Sequence, residues 1–204
     1  MNFIYNDDKK ELLGKLLFGF SFAILCLMVI LLFKKPFLAI DEWFTLGLVN
    51  LSLPSSIDIT IIDVHPPLYY LIIKFLMKFL TVFNIPFEKI IIMKFTSMIP
   101  YIILFIFSLT KLKKDYGLFA SGLFIFSILT MSNFFTYYLT GRMYTWSLLF
   151  VLLSFVYIKD LLKYHSLKYW ILLSVFFCFK CIYSLFCRNN INCYLFNVVC
   201  LFII

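Results

Sequence analysis

Three short groups hold most of the side chains in this sequence that could do chemistry. Asp41 and Glu42, followed by Trp43, form the first; Asp63 and His65 in "DVHPPLYY" (residues 63–70) form the second; Arg142 and Tyr144 in "GRMY" (residues 141–144) form the third. A carboxylate can take a proton from an attacking hydroxyl. An arginine can grip two oxygens of a phosphate at once, and a histidine can donate to the same anion. The residue types therefore suit proton abstraction beside a bound anion. Each also has a plain reading: solvated loop acids, a helix-entry histidine, and an arginine reaching for lipid phosphates. The plain readings must explain separately why the three groups fall on one side of the molecule, which depends on the elements between them.

Of the 204 residues, 64% are hydrophobic and only 14% charged, and 27 are phenylalanine. A soluble core of this size cannot absorb that much apolar surface, so the composition implies an integral membrane protein. The formal net charge of +8 does not indicate nucleic acid. The lysines stand in short clusters between apolar runs, as in loops at the cytoplasmic face. Residues 16–33 carry no charge and are long enough to cross a bilayer core. With Lys9, Lys10 and Lys15 ahead of them, they read as an uncleaved signal anchor. Spans are expected at about 14–33, 93–110, 117–139, 143–160 and 169–187, with an apolar end that adds a partial sixth. Backbone groups in lipid must be bonded within their own segment, so these are helices. The expected fold is an all-α bundle of about five or six transmembrane helices.

The run "PPLYYLIIKFLMKFLTVF" (66–83) is apolar enough to resemble another span. Its aliphatic and phenylalanine residues favour insertion by about 3 to 5 kcal/mol, whereas Lys74 and Lys78 near its middle oppose it by about 5 to 7. A juxtamembrane amphipathic helix fits better, opened by prolines whose missing N–H groups a first turn does not need. Residues 34–92 then form one extracytoplasmic loop. The lysine-bearing N-terminus, 111–115 and 159–168 share the opposite side, and the short loop at Arg142 has a single basic residue. That is the asymmetry of the positive-inside rule. All three polar groups then meet at one membrane face.

An Asp-Glu pair soon after the first span, D-x-H-P-P-L opening a juxtamembrane helix, and R-M-Y at the start of a later span resemble the GT-C membrane glycosyltransferases. The nearest likeness is to the dolichyl-phosphate-mannose protein mannosyltransferases and their polyprenyl-phosphate-dependent relatives. The likeness runs over roughly residues 10–170. It implies an inverting enzyme of a multi-pass plasma membrane, with its active face extracytoplasmic. Such an enzyme moves a hexose such as mannose from a polyprenyl-phosphate donor to an acceptor protein, lipid or glycan, with no nucleic acid involved. Within that implication Asp41 is the base and Glu42 an orienting acid or substitute. Arg142 and His65 hold the donor phosphate, and Asp63 orients the imidazole or binds acceptor, as Tyr144 also could. No cofactor is implied except a divalent metal, for which Asp41, Glu42 and Asp63 would be the ligands. Two residues before Arg142, where relatives often carry an acid, stands Thr140.

Residues 1–175 thus read as the N-terminal part of a GT-C-like membrane domain. Beyond them the chain turns abruptly rich in Cys, Asn and Phe (176–204), as expected of a truncated or frame-shifted end; Cys178 and Cys181 read as membrane-buried thiols rather than a redox pair. A transporter or flippase subunit for a lipid-linked sugar, or a structural membrane subunit, is the competing class. A transporter would place ionisable groups near the bilayer midplane.

Overall fold

A computed structural model describes residues 7–34, 38–62, 67–131 and 140–184, all of them helical or connecting, with no strand among them. Asp63 and His65, the stretch 132–139 of the expected 117–139 span, and the tail from 185 onward lie outside the described residues.

The chain begins with α1 (Asp7–Lys34), which has Asp7 and Asp8 in its first turn and Lys34 in its last, each sign facing the favourable end of the helix dipole. Its apolar side chains mostly face outward: Phe20, Phe22, Ile30 and Phe33 are all more than half exposed. In water such a surface would be untenable, but in lipid it is the expected exterior. The presumed loop 34–92 is itself helical, with α2 (Ile40–Asn50), α3 (Leu53–Ile62) and α4 (Pro67–Val82).

Next comes α5 (Lys89–Phe107), which continues through a π-helical turn (Ser108–Leu112) into α6 (Lys113–Thr130). The stretch Lys89–Thr130 has 42 residues, about twice what one bilayer crossing needs. It folds back on itself, because the Ser108 hydroxyl donates to the Ser121 carbonyl at 2.6 Å; a straight helix would hold those residues about 20 Å apart. The reversal centres on Gly117, at φ 84°, a backbone shape that only glycine adopts without strain. The sequence-expected division into spans near 93–110 and 117–139 corresponds to this hairpin. The last described helices are α7 (Tyr144–Tyr164) and α8 (Leu167–Ser184), joined where His165 takes a left-handed φ of 46°.

Three stretches, Asp7–Lys34, Lys89–Thr130 and Tyr144–Tyr164, are long and apolar enough to cross a membrane. The chain is a helical membrane protein. Its main core joins α1, α5, α6 and α7 through Met28, Met98, Tyr101, Leu104, Ile125 and Leu149, none more than 2% exposed. The most extensive helix contact is α1 against α6. There a Cβ on Gly14 would lie 2.8 Å from the carbonyl carbon of Leu118, and one on Gly122 would lie 3.0 Å from the Gly14 carbonyl oxygen. Small residues at such a crossing let the two backbones touch, as membrane helix pairs require.

Charged side chains gather at both ends of the bundle. At one end the start of α1, the 111–117 turn and the α7–α8 junction come together: Lys111 pairs with Asp160 at 2.6 Å, and Lys159 donates to the Tyr116 hydroxyl at 2.8 Å. These are the three lysine-bearing segments expected to share a side. The other end carries the beginnings of α2, α5 and α7.

Candidate functional site

A second, smaller core underlies that other end, formed by Leu48, Tyr69, Tyr70, Ile73, Met93 and Met143 from α2, α4, α5 and the residue before α7. Above it α2 starts at Ile40, so Asp41 and Glu42 fall in its first turn, where helix N–H groups lack partners and acids are favoured. The two neighbours point to different fates. Glu42 is 1% exposed. Its Oε2 accepts from the Ala39 N–H at 2.7 Å, the carboxylate half of a capping box that alanine cannot reciprocate. Its Oε1 accepts from the Gly141 N–H at 2.5 Å and lies 3.6 Å from the Lys94 ammonium, itself buried. Asp41 keeps 65% of its side chain exposed and pairs with the Arg142 guanidinium, which is 13% exposed.

Lys94 interrupts the apolar face of α5, and an unpaired ammonium there would be prohibitive. Paired with Glu42 it becomes a cross-brace between α2 and α5, with the 140–143 loop tied to the same carboxylate. The loop is fixed from below as well. Ser97 Oγ donates to the Arg142 carbonyl at 2.8 Å, and the single proton of the Tyr69 hydroxyl is shared between Ser97 Oγ at 2.8 Å and the Met93 carbonyl at 3.3 Å. Pro100, inside α5, cannot donate to the Thr96 carbonyl four residues back. Trp146 Nε1, in the first turn of α7, donates to that carbonyl instead at 3.0 Å. The gap left by a proline thereby becomes the seat of the helix that follows Arg142. Gly141 packs tightly here: a Cβ there would lie 2.7 Å from both Cγ and Cε of Met93, whose side chain would have to shift.

The outcome is an arginine on a braced loop, facing an exposed acid. Tyr144 is partly exposed and its ring lies 5.9 Å from the Arg142 guanidinium carbon, close enough for a cation–π contact. Burial lowers the Arg142 pKa from its usual value, opposed by Tyr144; a guanidinium nonetheless stays charged at physiological pH.

Four sequence-derived candidates are therefore brought together: Asp41, Glu42, Arg142 and Tyr144. Asp63 and His65 lie outside the described residues. Both oxygens of Glu42 are engaged below the surface, by the Ala39 and Gly141 N–H groups and the Lys94 ammonium. Among the described residues no three His, Cys, Asp or Glu side chains gather as metal ligands; Asp41 and Glu42 diverge to separate cations.

Lys94, Ser97, Tyr69 and Trp146 were not singled out by sequence. Lys94 had a usable signal: a lysine inside an apolar membrane helix demands a partner. Lys74 ties α4 to α2. Its ammonium donates to the Val49 carbonyl at 3.2 Å and to the Leu51 carbonyl, closing the C-terminal end of α2. Desolvation lowers the Lys74 pKa, while the two carbonyls favour its charged form. Lys78, a turn later, is exposed.

Comparison with protein-family models, curated proteins and solved structures finds no match.

Proposed function

We propose that this chain is the N-terminal, donor-handling part of an inverting GT-C-type glycosyltransferase of the plasma membrane. It moves a sugar from a polyprenyl-phosphate donor to an acceptor on the extracytoplasmic face. The observation that supports the reading is the Asp41–Arg142 pair: an exposed carboxylate held against a mostly buried guanidinium on a braced loop. In this reading the donor phosphate displaces Asp41 from Arg142, which grips two of its oxygens. The freed carboxylate takes the proton of the acceptor hydroxyl as that oxygen attacks the anomeric carbon. The bond from that carbon to the phosphate oxygen breaks, and the lipid phosphate leaves with one more negative charge. Arg142 stabilises the new charge more than it stabilised the substrate, which is the condition for acceleration. His65 donates to the same phosphate, Asp63 orients it, and Tyr144 lines the acceptor side. Should a divalent metal take part, the exposed Asp41 is its first ligand.

The test is release of polyprenyl phosphate from polyprenyl-phosphate mannose by the product of the complete gene reconstituted in liposomes. Wild-type release, reduced at least a hundredfold in Asp41→Asn and in Arg142→Gln, is the expected result; undiminished release by Asp41→Asn would remove Asp41 as the base. The buried Glu42–Lys94 pair favours one second reading, a carrier for lipid-linked sugar whose internal charges gate its movement. Movement of a labelled donor between leaflets without transfer would support it.

A further inference from the structure

At the opposite, lysine-rich end, a cleft of about 500 Å³ opens between the 110–115 turn, the last turns of α7 and the start of α8. Its floor is an ion triad: Lys111 lies 2.9 Å from Asp115 and 2.6 Å from Asp160. Its aromatic wall is Tyr157, Tyr164 and Tyr169, with ring centres 6.3 Å apart for Tyr157 and Tyr169 and 5.8 Å apart for Tyr164 and Tyr169. Both acids are taken up by Lys111. Lys114 and Lys168 line the same cleft, are exposed, and make no ion pair with any described residue. A neighbouring cleft of about 550 Å³, beside the start of α1, also contains lysines, but there Lys10 pairs with Asp7 and Lys15 with Glu11. That neighbouring cleft also holds Lys113, exposed and without an ion pair among the described residues, so what sets the first cleft apart is two such lysines, Lys114 and Lys168, beside three tyrosines.

We propose that this cleft binds the phosphate of an anionic phospholipid of the surrounding leaflet, with Lys114 and Lys168 as the charge contacts and the tyrosines against the glycerol backbone. The Lys111 triad holds the turn and helix junction in place and does not itself meet the lipid. A bilayer-surface lysine near an anionic headgroup contributes roughly fivefold in affinity, so both together give about 25-fold. The inference does not depend on the proposed transferase activity.

The experiment is native mass spectrometry of the purified full chain in detergent, titrated with phosphatidylglycerol or phosphatidylcholine. Preferential retention of phosphatidylglycerol is expected. It should fall about 25-fold in Lys114→Gln/Lys168→Gln and persist in Lys114→Arg/Lys168→Arg and in Lys10→Gln/Lys15→Gln. Both lysines are exposed, and helical circular dichroism of each variant checks that it remains folded. Equal retention of the two lipids, or an undiminished preference in the double glutamine variant, would overturn the proposal. Displacement of the lipid by millimolar inorganic phosphate would overturn it too, by identifying a soluble phosphate ligand in place of a membrane one.

Discussion

Lys94 offers the sharpest test of how the candidate site is held. Replacing it by methionine keeps the side chain's length and removes its charge, leaving the Glu42 carboxylate enclosed with only the Ala39 and Gly141 N–H groups. At the observed 3.6 Å separation, the lost attraction amounts to about 4 to 5 kcal/mol for an effective dielectric of about 20. Breaking a buried pair from one side generally costs about 3 to 5 kcal/mol. Lys94→Met should therefore lower stability by about 3 to 5 kcal/mol. The double variant Glu42→Gln/Lys94→Met removes both charges. Its amide oxygen can still accept from Gly141, but an NH₂ then replaces the acceptor facing Ala39, a loss of about 1 to 2 kcal/mol. Unfolding in mixed micelles by SDS titration, followed by tryptophan fluorescence, measures all three proteins. If the double variant is as unstable as the single one, or if Lys94→Met is within 1 kcal/mol of wild type, the pair is not the brace described here.

Gly141→Ala should cost about 1 to 3 kcal/mol by overpacking against Met93, and Met93→Ala in the same chain should relieve the clash while adding its own cavity; the same titration compares them. Gly14→Ala should separate α1 from α6 and lower thermal stability, because the new Cβ meets backbone. Gly19→Ala on the same helix meets nothing within 4 Å and should be neutral or mildly stabilising. Trp146→Phe leaves the Thr96 carbonyl without a donor and should cost about 1 to 3 kcal/mol, an effect that Pro100→Ala, by restoring the helical donor, should reduce in a double-mutant cycle.

Much of the fold was legible because lipid imposes a length rule. The charge-free run at 16–33 became α1, and the break at "KKDYG" became the hairpin turned by Gly117. The segment 34–92 was read as a loop with one helix and instead contains three. Its polar and proline-bearing stretches look alike in sequence whether the pieces between are loops or short packed helices; packing decides, α2 and α4 against α5 and α3 against α2 and α4. The approach of Asp41 to Arg142 followed from topology alone. The parting of Glu42 from Asp41 did not, since adjacent helical residues point about 100° apart and partners distant in sequence, Lys94 and the Gly141 N–H, meet the acid that turns inward. The role of Trp146 was equally hidden, because its partner is a carbonyl vacated by a proline in another helix.

The glycine-to-backbone seam between α1 and α6 bears on how the protein is made. Residues up to Lys34 leave the ribosome before Gly122, so α1 is made with its Gly14 contact surface uncovered. It remains an incomplete half of a pair until the chain beyond Gly117 has been synthesised and has folded back. The order of synthesis makes α1 a waiting template and α6 the late arrival.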